Sequence, residues 1–203
     1  MTDAIAQVLP RLRAARIRAF AWRCALPMSG KLALALGMAG LTALAAQVRI
    51  PLGFTPVPLT GQVFAVLLAG VLCGRYYGGL SQGIYVGLGV AGVPWFAGWS
   101  GGLGAIAGPT GGYLIGFILA AEMIGYVSER SARARSFLPM LGLMLAGVAA
   151  VHLCGVLQLA VYLGGHLKGA LVMGTLPFIG VDAAKALLAA SIATALLPKS
   201  DAD

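Results

Sequence analysis

Six apolar stretches run through the chain, at residues 31–48, 60–73, 77–91, 111–127, 137–163 and 175–197, each bounded by glycine, proline or basic residues. Crossing a hydrocarbon core as a helix takes about 20 apolar residues, so most of these stretches are near spanning length. The second is short, and the fifth is long enough to tilt or to extend beyond the core. A backbone in hydrocarbon must satisfy its own polar groups, and the period-2 alternation of a membrane barrel is absent, so each stretch is expected to be a helix. Composition agrees, with 60% hydrophobic and 10% charged residues and a mean hydropathy of +0.92. The expected fold class is an all-α membrane protein, a bundle of six transmembrane helices. The chain holds 30 glycines, which let helix backbones approach where no hydrophobic force draws helices together. Gly79, Gly83 and Gly87 form one predicted packing face, and Gly112, Gly116 and Ala120 another.

A formal net charge of +8 could point to nucleic acid, but the basic residues sit at the ends and in short connections, as a topology signal has them. With the N-terminus inside, the inner segments hold Arg11, Arg13, Arg16, Arg18, Arg23, Lys31, Arg75, Arg130, Arg133, Arg135 and Lys199. The outer connections hold only Arg49 and Lys168. Both termini are therefore expected in the cytoplasm and no nucleic-acid partner is implied. Three regions follow: a basic interfacial arm over residues 1–30, the helical domain over residues 31–198, and a short tail at residues 199–203.

Sequence motifs exclude more than they assign. "GLGVAG" fits a dinucleotide-loop pattern but has no preceding strand, and neither GxxxxGK[ST] nor HExxH occurs. ATP hydrolysis by this chain is excluded, no enzyme activity is expected, and any energy source must be a partner. Cys24, Cys73 and Cys154 are scattered without metal or disulfide spacing, and His152 and Cys154, two apart, do not share a helix face. No metal and no cofactor are expected. The outer connections at residues 49–59, 92–109 and 164–174 are long and rich in glycine or proline, which marks that side as the binding face. The uncharged stretch "GVPWFAGWSGGLGAIAGPTGG" carries Trp95, Phe96 and Trp99. It is expected to fold over the bundle, an interfacial aromatic belt being the competing reading.

Charges inside the apolar stretches are rare. Glu122, in the inner half of its helix, has Arg75 or Arg130 as its predicted counter-charge. Asp182 and Lys185, three residues apart, share a helix face and can neutralise one another, reducing a cost of about 3 kcal/mol each at a helix centre. An acceptor beside a donor suits a neutral ligand group with NH next to a carbonyl, such as an amide or a urea. A structural ion pair is the plainer alternative. Ala35, Ala39 and Ala43 form a stripe at helical spacing that offers a flat surface to a second helix, in this chain or in another.

Four segments in order, "GFTPVPLTGQVFAVLLAGVLCG", "GGLSQGIYVGLGVAGVPWFAG", "GPTGGYLIGF" and "VDAAKALLA", resemble the signature segments of the BioY family. These are biotin-binding S components of energy-coupling factor (ECF) transporters, and the resemblance runs from about residue 31 to 197. It implies a six-helix S component in a bacterial cell membrane that captures biotin from outside, with a transmembrane T component and two cytoplasmic ATPase subunits. The stripe Ala35, Ala39, Ala43 then maps onto the surface that meets the T component. In a biotin site, Asp182 would accept from a ureido NH and Lys185 would donate to the ureido carbonyl, or Lys185 would hold the tail carboxylate. Tyr85, Trp95, Phe96 and Tyr113 are the expected walls around the rings, Ser100 a polar contact, and Thr60 and Gln62 a cap from the first outer loop. No residue is assigned to the carboxylate. A proton-coupled secondary transporter using Asp182 and Lys185, and a structural protein whose ion pair sets helix register, are the alternatives from other classes.

Overall fold

The computed structural model describes residue 14 and residues 16–198. The arginines at 11 and 13, the lysine at 199 and the tail lie outside these residues. Residues 16–25 are helical. The following elements are α1 (Met28–Gln47), β1 (Arg49–Ile50), β2 (Leu59–Thr60), α2 (Gln62–Val90), α3 (Leu103–Ala107), α4 (Gly111–Arg130), a 3-10 turn (Ala132–Arg135), α5 (Phe137–Tyr162), α6 (Leu167–Gly174) and α7 (Ile179–Leu196). Among the described residues five helices, α1, α2, α4, α5 and α7, are long and apolar enough to cross a membrane.

The apolar stretches expected as a second and a third helix are joined in α2, a 29-residue run broken at Gly74, where φ is 79°. A left-handed backbone there suits glycine, which has no side chain to clash. Eight residues along a straight helix span about 12 Å, yet a Cβ built on Gly78 would stand 3.0 Å from the Cα of Gly70. The arms 62–73 and 75–90 therefore fold back on each other. Glu129 of α4 reaches into the bend, where its Oε2 accepts the Arg75 N–H at 3.2 Å and its Oε1 pairs with Arg23 at 3.2 Å. A carboxylate at the first turn of the second arm suits the positive end of that helix. Any side chain at position 74 would run into this carboxylate.

Close packing continues outward from this hairpin. A Cβ on Gly116 would lie 2.8 Å from the Cα of Val151, and one on Gly112 would meet the Cys154 carbonyl, so this predicted glycine face does join α4 to α5. The other one does not. Gly79 abuts Glu122, but a Cβ on Gly83 or Gly87 would find nothing within 4 Å, because that face of α2 looks away from the bundle. Leu67, Ile124, Met140, Met144 and Leu159 fill the centre. Glu122 pairs with Arg75 at 3.5 Å, one of its two expected partners.

The alanine stripe is on the inside. Ala35 and Ala39 are fully buried and Ala43 is 9% exposed, since α1 turns these residues into the core. Its exposed face carries Ala33, Leu36, Gly37, Leu41 and Leu44 instead. Arg23, Arg75, Arg130, Arg133 and Arg135 follow or precede the helix ends at one end of the bundle, and the segments 48–61, 91–110 and 163–178 connect the helices at the other. Phe20 lies between the guanidinium groups of Arg23 and Arg135, at 4.7 Å and 4.8 Å, which seats the end of the basic arm on the bundle.

Gly74→Ala is expected to destabilise the protein by about 1–3 kcal/mol through forced backbone and side-chain displacement, whereas Gly83→Ala, with open space around it, should leave stability unchanged or slightly raised. Thermal unfolding of both variants in one detergent measures the difference. Equal midpoints would show that the bend does not depend on glycine.

Candidate ligand-binding cavity

The three long connections meet above a cavity of about 370 Å³, within the ordinary range for small-molecule sites. Its floor and walls come from separate elements. Thr60, Gln62 and Val63 enter from β2 and the head of α2, Phe96, Ser100, Ala105 and Thr110 from the 91–110 connection, Tyr113, Leu114 and Phe117 from α4, Val151 and His152 from α5, and Phe178, Asp182 and Lys185 from the α7 end. Most of this lining is apolar, and the charged groups gather in two places.

One place is buried. Asp182, 3% exposed, accepts from Lys185 Nζ at 2.6 Å on Oδ1 and meets His152 Nε2 at 2.9 Å on Oδ2. Lys185 Nζ also donates to the Thr60 carbonyl at 2.7 Å. That carbonyl is held at a defined point because Thr60 pairs with Arg49 in the short antiparallel ladder of β1 and β2. His152 Nδ1 faces the Gly174 carbonyl at 3.1 Å, which also accepts the Tyr113 hydroxyl at 2.7 Å. Charges taken out of water persist when they are paired and hydrogen-bonded, and here every charged atom has a partner. The other place is the rim, where the exposed Arg49 side chain lies against Gly98.

Seven of the nine residues expected at a ligand line the cavity: Thr60, Gln62, Phe96, Ser100, Tyr113, Asp182 and Lys185. Tyr85 and Trp95 do not. Tyr85 is completely buried behind Phe96, ring edge to ring face at 5.3 Å, and its hydroxyl accepts from Gln62 Nε2 at 2.8 Å. Trp95 stands behind it, donating from Nε1 to the Tyr85 carbonyl at 2.9 Å. The spacing of these aromatics signalled an aromatic cluster but not which rings would face the ligand; Phe96 forms the wall, and Tyr85 and Trp95 brace it. A run of hydrogen bonds from the Thr60 hydroxyl to Gln62 Oε1 at 2.9 Å and on to Tyr85 ties the cavity floor to that brace. His152, Arg49, Thr55 and Phe178 were not expected in the site. The partner of His152 lies thirty residues along the chain, and the one available signal was an ionisable side chain within a spanning stretch. Among the described residues no group of three or more His, Cys, Asp or Glu is placed to hold a metal ion.

The connections over the cavity have polar backbone groups that hydrocarbon would leave unpaired, and half-buried side chains supply partners. Gln47, at the end of α1, donates to the carbonyls of Trp95 and Phe96, both at 3.2 Å, and accepts the Trp99 N–H at 3.2 Å. Gln158 of α5 donates to the Gly108 carbonyl at 2.8 Å and to that of Ile106. Thr55, in the first connection, donates to the Met173 carbonyl at 3.0 Å. The 91–110 lid is thus fastened at two ends by glutamines, and a threonine laces the first connection to the third.

A multi-pass helical membrane protein with a lidded cavity at one end and a buried charge cluster within it belongs to the class of small-molecule binding and transport proteins. The chain matches the BioY family over residues 17–201, and it belongs to that family. It is 50% identical over 139 residues to the probable biotin transporter BioY of Methanothermobacter thermautotrophicus, covering 65% of this chain and 88% of that one. The biotin transporter BioY of Thermotoga maritima is 41% identical over 156 residues, 77% of this chain and 89% of its own. Among solved structures, the S component for biotin from an ECF-type ABC transporter superposes with a TM-score of 0.77 at 28% identity, covering 85% of this chain and 94% of that one.

Replacing Gln47 or Gln158 with alanine removes two or more backbone partners of the lid. Amide hydrogen exchange in residues 95–110 should accelerate about tenfold in either variant, with the cores of α4 and α5 unchanged. Unchanged protection in the lid would mean that neither glutamine fastens it.

Proposed function

We propose that the chain captures biotin from outside the cell as the S component of an ECF transporter, with the buried cluster reading the ureido ring. The single observation that carries this reading is the Asp182–Lys185 pair at the closed end of an apolar cavity, in a chain of the BioY family. Biotin has a ureido group with two NH donors and one carbonyl, an apolar thioether ring and a carboxylated tail. Asp182 keeps lone pairs for a ureido NH, and Lys185 or a neighbouring donor meets the carbonyl, each such charge-assisted bond contributing about 1.5–3 kcal/mol net. Phe96, Tyr113, Phe117 and Phe178 enclose the bicyclic rings. Of the two roles open to Lys185, the ureido is favoured, because its ammonium is already held by Asp182 and Thr60 at the buried end. The tail then points to the rim, where Arg49 supplies the cation for the carboxylate.

The hairpin at Gly74 supports six crossings, the two arms of α2 counting separately. The arginines collected at the end opposite the cavity support a cytoplasmic location for that end and for both termini. The lack of any ATP-binding loop supports dependence on a T component and cytoplasmic ATPases. Because the alanine stripe is buried, the face of α1 available to the T component is Ala33, Gly37 and Leu44. The domain limits, residues 31–198 for the binding unit with the arm before it, stand as part of the same proposal.

Equilibrium binding of biotin to the purified chain tests the function. Asp182→Asn and Lys185→Ala should each weaken binding by about 2–5 kcal/mol, since each leaves the remaining members of the cluster unbalanced in a dry site. Arg49→Ala should remove most of the preference for biotin over its methyl ester. Full binding by both cluster variants would reduce the cluster to a structural bridge.

On the partner side, Gly37→Trp should prevent co-purification with the T component while biotin still binds, and Ala39→Trp should lower thermal stability because its side chain enters the core. Loss of biotin binding in Gly37→Trp would place that residue outside the partner face.

A further inference from the structure

The two ring nitrogens of His152 face a carbonyl and a carboxylate, both acceptors as long as the carboxylate is ionised. Nδ1 lies 3.1 Å from the Gly174 carbonyl oxygen, and Nε2 lies 2.9 Å from Asp182 Oδ2. The Gly174 oxygen already takes the Tyr113 hydroxyl, so it offers no proton. A neutral imidazole has one N–H and one lone pair. Beside an ionised Asp182 it would turn a lone pair on one of these oxygens in a buried site, and a buried acceptor facing an acceptor is costly. One added proton removes the conflict wherever it rests: on the ring, which becomes an imidazolium, or on Asp182, which then donates to Nε2.

We infer that the His152–Asp182 pair holds this extra proton, and that His152 is a positioning residue whose proton tunes the affinity for an anionic ligand. The charge count is the same for both placements. Asp182, His152 and Lys185 together carry +1 with the proton and 0 without it. The other groups around the ring do not alter this count. From α4 comes Tyr113, its ring 6.0 Å away and edge-on; from the α7 end come Phe178 at 6.2 Å, Asp182 and Lys185; from α6 comes only the Gly174 carbonyl. Arg49 adds its charge at the rim of the same cavity. A ligand bearing a carboxylate is therefore drawn into a cavity more positive than the aspartate and lysine alone would make it. The proton also keeps both ring nitrogens hydrogen-bonded at once, which fixes the ring against the carboxylate. Loss of the proton costs the ligand the charge and releases one of these two contacts.

Two measurements test this, the second resting on the biotin reading. The chain contains two histidines, so the full-length protein carrying His166→Asn retains His152 alone. Nitrogen-15 spectra of its imidazole, with carbon-13 spectra of the aspartate carboxyls assigned by Asp182→Asn, report where protons reside near pH 7. Both ring nitrogens protonated, or one bare nitrogen beside a protonated Asp182, is the expected result. A bare nitrogen beside an ionised Asp182 overturns the inference. Secondly, biotin binding is titrated between pH 6 and 8.5, where imidazoles change charge and free carboxylates do not. Wild-type affinity should fall about tenfold, the loss of one charge-assisted hydrogen bond at its lower bound. His152→Gln should start weaker and change less than about twofold. A flat wild-type profile, or the same slope in His152→Gln, overturns the tuning role. Failure of biotin to bind in any variant at any pH would sink the biotin reading instead, and the spectra would still decide the proton.

Discussion

Asp182 sits where water scarcely reaches, and its carboxylate is held by an ammonium on one oxygen and an imidazole on the other. A buried carboxylate with one partner missing is strongly unfavourable, so the cluster constrains everything around it. Lys185 comes from the same helix face, but its ammonium needs a second acceptor, and the Thr60 carbonyl supplies one only because the β1–β2 ladder brings the first connection over α7. His152 needs α5 to lie beside α7, and its second nitrogen needs the Gly174 carbonyl at the end of α6. Four segments distant in sequence therefore meet at one carboxylate. The cavity is the space that this meeting leaves above them.

The same economy of polar groups explains the lid. Loops at membrane depth survive when protein covers them and when their N–H and C=O groups find partners. Gln47 and Gln158 project from the ends of spanning helices into the loop and take over that role, while Tyr85 and Trp95 back Phe96, one of the aromatic rings that line the cavity. Side chains that looked like ligand contacts and side chains that looked like inert helix residues thus exchange places. Trp95 is a brace, and Gln158 is a clasp. Glycine lets the helices beneath approach closely enough for these short side chains to reach, most sharply at the Gly74 bend and where Gly112 and Gly116 meet α5.

The physical basis of capture follows from the separation of the two charged regions. At the closed end, a paired cluster offers donors and an acceptor to a polar ring. In the proposed reading, the exposed arginine at the rim forms a solvent-screened ion pair with the carboxylate that discriminates acid from ester and speeds encounter, and the apolar surface between the two ends encloses the rings. The α1 face that points away from the bundle is unconnected with this cavity except through Gln47. Through that residue α1 both presents small residues outward and holds the lid.

The sequence by itself determined the class and named much of what lines the cavity. Apolar length and the absence of alternation dictate helices in hydrocarbon; the scarcity of charge made Asp182 and Lys185 conspicuous; and short-range periodicity places them on one face, since helix geometry over three residues is local. Gly112 and Gly116 were legible as a packing face for the same reason. Tertiary structure alone decided which of several equivalent faces turn inward. Ala35, Ala39 and Ala43 read equally well as outer or inner surface, because in lipid small apolar residues carry no preference between a neighbour helix and a partner, and only the packing of α1 on α2 buries them. It also decided that Gly83 and Gly87 face outward, that Tyr85 and Trp95 stand behind Phe96, and that His152 meets Asp182. These are contacts between separate segments or choices of face, and periodicity holds no information about either, because it fixes angles within one helix and leaves the rotation of that helix against its neighbours to the sum of all the packing.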